Sequence, residues 1–238
     1  MPRSVSGTVT VASGGGSTPT LASIRSLFRT SHVLSSAGGW TVTQPATGTS
    51  AYATSPAGLE ISIPTGAAPT GGAFEKTSAF PDADPSATCI VRLQASTHSS
   101  SAGEIYVVKM GSSAASILIG FIRGDGSATL AYYHSGTFSG IATGTAPIGW
   151  VAALGSGQAI LGISRSAIGV ALVAGINGTI EGATLRTVAS STSSTVAIYA
   201  AAGDYFQYGI DVDTTPRASG TVVRAVEVKT AVQGGGSL

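Results

Sequence analysis

Short runs that alternate apolar with polar residues, each closed by glycine, proline or an Asx-Gly dipeptide, recur along most of this chain. Successive side chains of a β-strand point to opposite faces, so a period of two marks a half-buried strand. Leu59, Ile61 and Ile63 point one way, with Glu60 and Ser62 the other. Ala87, Cys89, Val91 and Leu93 alternate with Thr88, Arg92 and Gln94, and Phe206, Tyr208, Ile210 and Val212 with Tyr205, Gln207, Asp211 and Asp213. Val222, Val226, Val228 and Val232 read as a last inward set. Asp125-Gly126 and Asn177-Gly178 each separate two such runs and are expected as hairpin turns, with Gly178 at positive φ, where a valine would be strained. No long helix and no strand–helix alternation appears, which excludes a parallel α/β sheet and implies an all-β, two-sheet antiparallel sandwich.

Composition narrows the partners. Only 10% of the 238 residues are charged, the formal net charge is +1, and the basic residues are scattered singly. Phosphate binding needs clustered Lys and Arg, so no nucleic-acid footprint is present. A surface with so little self-repulsion suits coverage by neighbouring subunits, and a homo-oligomer, with a trimer favoured, is expected. Cys89 is the only cysteine, which rules out an intrachain disulfide, and its place in an alternating run reads as a buried, inert thiol. Met1-Pro2-Arg3-Ser4 lacks the apolar stretch of a signal peptide, and 167–176 is shorter than the ~20 residues that span a bilayer, so a soluble chain without membrane insertion is expected.

Three regions follow. Residues 1–30 read as an attachment arm: Val5, Val9 and Val11 form a short strand, 13–17 a Gly/Ser link, and Leu21, Ile24, Leu27 and Phe28 one face of a short helix opened by Thr18-Pro19. Residues 31–232 form the sandwich, and 233–238 a flexible tail. The arm is expected to pair with a neighbouring chain, because an isolated strand leaves its backbone groups unsatisfied.

Gly39-Trp40-Thr41-Val42 followed by Gly58-Leu59-Glu60-Ile61-Ser62-Ile63-Pro64, and later Gly175-Ile176-Asn177-Gly178, resemble the strands of concanavalin A-like (laminin-G-like) jelly rolls over residues 30–232. The tethered body with Gly, Ser and Thr-rich segments is similar in composition to structural proteins of tailed bacteriophages. These resemblances imply a jelly-roll sandwich and a virion component of decoration, spike or fibre type.

Glycosidases on that fold carry Glu-x-Asp-x-x-Glu, because two carboxylates must flank the scissile bond. Here Glu60, Glu75, Glu104, Glu181 and Glu227 stand singly, which disfavours a hydrolase. His32, His98 and His134 share no ligand spacing with one another or with Cys89, so no zinc site is expected. Asp211 and Asp213 fall on one strand face and could supply oxygens to Ca²⁺; a solvated strand end is the simpler reading. Tyr205, Gln207, Asp211 and Asp213, joined by Tyr133, could form a sugar-binding patch, since aromatic rings offer flat platforms to pyranose faces. Trp40 and Trp150, each after a glycine at a strand start, read as core anchors. The leading expectation is thus a non-enzymatic structural protein of a virion, held to other virion proteins by its arm and requiring no cofactor. The alternative is a carbohydrate-binding adhesion module directed at a cell-surface glycan.

Overall fold

The computed structural model describes residues 10–12, 28–31, 41–43, 49–54, 57–63, 73–76, 87–97, 103–113, 116–166, 169–192, 205–212 and 220–232. Within them lie sixteen strands and one short helix, in two sheets. The nine-stranded sheet contains β1 (Thr10–Ala12), β2 (Phe28–Ser31), β4 (Thr49–Thr54), β5 (Ala57–Ile63), β7 (Ala87–Thr97), β12 (Ala159–Ser166), β13 (Gly169–Ile176), β14 (Thr184–Ser191) and β16 (Thr221–Val232). Its order is β1-β14-β13-β12-β7-β16-β5-β4, with β2 also on β16. The seven-stranded sheet runs β11 (Thr137–Thr145), β10 (Ser127–His134), β9 (Ser116–Arg123), β8 (Glu104–Ser113), β15 (Tyr205–Val212), β6 (Ala73–Lys76) and β3 (Thr41–Thr43). Every pairing is antiparallel except β1 on β14, as an all-β jelly-roll sandwich requires.

The core is the stripe that alternation selects. Ile61, Ile63, Cys89, Val91, Leu93, Leu161, Ile163 and Leu172 of one sheet meet Tyr106, Val108, Met110, Leu118, Ile122, Leu130, Phe206, Tyr208 and Ile210 of the other, all within 2% of complete burial. Each large side chain removed from water contributes ~1.5–3 kcal/mol. Among the described residues one carboxylate lies inside: Glu104 accepts hydroxyl hydrogen bonds from Tyr106 (2.8 Å) and from Thr221, so β8 and β16 are tied across the layers. A buried carboxylate is tolerable only with such donors.

Several expectations change here. β16 does not keep one valine face: Val223, Ala225 and Val228 are buried, whereas Val222 and Val226 are half-exposed, because the ladder with β7 slips twice. Trp150 is the anchor expected, but it opens the helix α1 (Trp150–Gly155) rather than a strand. Phe28 is not helical; it lies in β2, opposite Ala231 of β16. The expected first strand supplies Thr10–Ala12 to an edge of this chain's own sheet, with Val11 opposite Leu185. Val5, Val9, Leu21, Ile24, Leu27, Trp40, His32 and His98 lie outside the described residues.

The turns also divide. Gly124-Asp125-Gly126 joins β9 to β10 as expected, with the Gly126 amide donating to the Arg123 carbonyl at 2.9 Å and Gly126 at φ 84°. Asp125 accepts from the Ser127 hydroxyl (2.7 Å) and amide (2.9 Å), and these bonds hold its carboxyl below the usual carboxylate range. A depressed folded-state pKa contributes stability above the unfolded value, and the contribution fades as pH falls through the folded one. Asn177-Gly178, by contrast, is no two-residue turn: β13 ends at Ile176 and β14 begins at Thr184, so seven residues, 177–183, form the connection. The two-residue turn is Ser135-Gly136, both at positive φ (48° and 86°), between His134 and Thr137. Gly136→Val should therefore lower stability by ~1–3 kcal/mol. Gly178, outside the positive-φ set and with open space around its Cα, should accept valine within ~0.5 kcal/mol. Paired thermal melts check this, and an equal loss at both sites would refute the turn assignment.

Candidate functional site

Because Phe206, Tyr208 and Ile210 are buried in the core, Tyr205, Gln207 and Asp211 hold register positions on the outer face of the seven-stranded sheet. One cross-strand row runs Tyr205, Gly111, Ile117, Tyr133, Phe138. The expected Tyr205 and Tyr133 thus share a row, and Gln207 sits one step along, opposite Lys109. Strands lie ~4.8 Å apart, so Tyr205 and Tyr133, three strands apart, are separated by ~14 Å. Gly111 and Ile117 between them are buried. Tyr133 and Phe138, in contrast, are direct neighbours across the β10–β11 ladder. Phe138 is 55% exposed, an uncommon state for phenylalanine, and Tyr133 is half-buried. His134, exposed on the opposite face of the hairpin, has Nδ1 at 3.4 Å from the Ser116 hydroxyl. The type I′ geometry of Ser135-Gly136 positions this pair, since its twist matches that of the flanking strands and sets Tyr133 opposite Phe138. Asp211 pairs with Ile105 toward the other end of β15, and Asp213 lies outside the described residues. Among the described residues, no three His, Cys, Asp or Glu side chains gather as a metal centre, and no helix is long and apolar enough to cross a membrane.

The outer face of the nine-stranded sheet has two halves. Toward β14, Ile90, Ile160, Ala171, Val173 and Leu185 form a second apolar cluster, capped by Ile180 and Ala183 of the 177–183 connection. Glu227 secures the cap: one carboxylate oxygen accepts the Ile180 amide (3.0 Å) and the Arg92 Nε–H (3.0 Å), while Arg92 also donates to the Gly157 carbonyl at 2.6 Å. Toward β4 the face is polar. Arg224 and Glu60 form an ion pair, and with Gln94, Ser96 and Val222 they line a shallow depression of about 90 Å³. Glu60, Glu104 and Glu227, read from sequence as isolated carboxylates, are thus all partnered.

No family model and no curated protein matches the sequence. Solved structures match the fold. The VIP36 exoplasmic/lumenal domain, in a Ca²⁺/Man3GlcNAc-bound form, aligns at a TM-score of 0.55 with 8% identity over 84% of this chain and 85% of its own. Alginate lyase A1-II' aligns at 0.50 with 11% identity over 77% and 83%. The binding domain of botulinum neurotoxin serotype D/C aligns at 0.50 with 10% identity over 81% and 44%. The chain spans less than half the length of that neurotoxin structure and of a GH43 protein from Bacillus licheniformis that it also matches. These likenesses define the architecture, a jelly-roll sandwich.

Proposed function

We propose that this chain is a non-catalytic glycan-binding module that stacks a sugar ring on the tip of its β10–β11 hairpin. The observation that carries the reading is the cross-strand pair of half-buried Tyr133 and exposed Phe138, held at a two-residue turn. An aromatic pair left open to water is a cost to a monomer unless it is covered in use. Pyranose rings cover such a surface with their C–H faces while their hydroxyls reach neighbouring polar groups. Here the exposed Ser135 of the turn is such a group, since His134 and Thr137 pair with each other one step along and point to the opposite face of the hairpin. A similar sandwich found with Man3GlcNAc in VIP36 makes mannose-containing glycans the first ligands to test.

Attachment to a larger particle such as a virion is a second reading, favoured by Ile148. This residue is fully exposed in the segment leading to α1, at the end of the β10–β11 hairpin remote from Phe138. A module with an apolar foot at one end and an aromatic tip at the other could be carried by an assembly while it reads a glycan.

Phe138→Ala should weaken glycan binding about tenfold, since half-covering a phenylalanine contributes ~1–2 kcal/mol. The fold should be unaffected, because the side chain is outside the core. A glycan array followed by calorimetric titration checks this. Binding that ignores both Phe138→Ala and Tyr133→Ala would refute the site, and turnover of any polysaccharide would refute the non-catalytic reading.

A further inference from the structure

We infer that the depression on the nine-stranded sheet is a second, independent site that takes the edge of a neutral polyhydroxy compound, two adjacent hydroxyls of a sugar or polyol. The site is built by irregularity in the ladder. Across β16 and β7, Val222 faces Thr97 but Val223 faces Ala95, so Ser96 is an extra residue without a cross-strand partner. Farther on, Ala225 faces Leu93 but Glu227 faces Arg92, which makes Val226 extra on the other strand. Two bulges on opposed strands therefore bracket three regular pairs, with Arg224–Gln94 at their centre. Bulges re-aim side chains and recur beside functional sites. The row continues from Arg224 to Glu60 and ends at the exposed, small Ala51, which leaves the depression open on that flank.

The lining specifies the ligand class. Arg224 only donates, Glu60 only accepts, and Gln94 and Ser96 do both, whereas Val222 is the one apolar wall. The ion pair is neutral as a unit, so neither an anion nor a cation gains from it, whereas a pair of hydroxyls can accept from the guanidinium and donate to the carboxylate at once. The Arg224 Nε–H, shielded from water, has no acceptor among the described residues. A small turn of the guanidinium toward an oxygen in the depression would satisfy it. A volume of about 90 Å³ is well below that of pockets enclosing a whole drug-sized molecule, which run to ~300–1,000 Å³, so only an edge enters.

The test is an NMR titration of the full chain with methyl mannopyranoside, followed through the Arg224 Nε–H and Gln94 side-chain amide signals, with glucuronate as the charged comparison. Both signals should move saturably with the neutral sugar, and glucuronate should bind at least tenfold more weakly. Glu60→Gln and Gln94→Ala should each weaken this response several-fold, while Phe138→Ala leaves it unchanged. Signals that stay still at ~100 mM sugar, far above a millimolar dissociation constant, would overturn the inference. So would glucuronate binding as well as the neutral sugar. A response abolished by Phe138→Ala would overturn the site's independence, whereas a hairpin that fails to bind glycan leaves this result standing on its own.

Discussion

Trp150→Ala should cost ~4–5 kcal/mol of folding free energy, and because ~1 kcal/mol moves the melting temperature of a chain this long by ~2–4 °C, a fall of more than ~10 °C is expected. Two losses add. The indole is completely buried and meets the Tyr106 ring edge-on, with centroids 5.8 Å apart, so truncation opens a cavity beside the Glu104–Tyr106–Thr221 network. Its Nε1–H also donates to the Ile160 carbonyl at 2.8 Å, which fastens α1 to β12. Trp150→Phe separates these contributions: it keeps most of the ring contact and removes the donor, for ~1–2 kcal/mol. Denaturant titration of both variants is the measurement. An alanine variant within ~1 kcal/mol of the parent would show that α1 is dispensable to the core, and equal losses for Phe and Ala would place the whole effect in the hydrogen bond.

The architecture was legible wherever burial follows strict alternation. Cys89, Val91 and Leu93, or Phe206, Tyr208 and Ile210, point inward because one face of each strand meets the other sheet and nothing interrupts the pleat. Legibility failed where the ladder slips. A bulge adds one residue and turns the following side chains over, which is why the valines of β16 divide between two faces and Glu227 comes to hold the 177–183 connection. Asn177-Gly178 misled for a related reason: the dipeptide favours a tight turn, but Ile180 and Ala183 gain more by folding back over Ile160 and Val173, which needs a longer connection. The site followed the same pattern. Period two puts Tyr205 on the outward face of its own strand but cannot give its register with Tyr133, and Phe138 was missed because β11, Thr-Phe-Ser-Gly-Ile-Ala-Thr-Gly-Thr, carries little alternation of its own. Its signal was Ser135-Gly136 directly after Tyr132-Tyr133-His134, a turn dipeptide that positions whatever follows it opposite the tyrosine. The depression at Arg224 left no local signal, since its residues come from β5, β7 and β16 and are gathered by two bulges.

The join between the two sheets at β11 and β14 is the other place where one atom matters. A Cβ added at Gly144 would lie 1.7 Å from the Val188 carbonyl oxygen and 2.8 Å from its carbon, both backbone atoms that cannot rotate aside. Val188 is itself the extra residue of a bulge in β14, since Leu172 faces Ala189 whereas Val173 faces Thr187, so its carbonyl is pushed out of the ladder toward β11. Glycine at 144 lets that carbonyl approach and brings the edge of the seven-stranded sheet against the nine-stranded one. Gly144→Ala must separate the two strands, and a loss of ~3 kcal/mol or more is expected, at the upper end of overpacking costs. Gly140→Ala is the matched control on the same strand: nothing lies within 4 Å of its would-be Cβ, so its effect should stay within ~0.5 kcal/mol. Separation of β11 from β14 should also accelerate amide exchange in the last turns of β11, near Thr143 and Thr145, while the hairpin tip at Phe138 retains its exchange rates and its ligand response. If Gly144→Ala and Gly140→Ala melt together, the close approach of the two edges does not exist in solution.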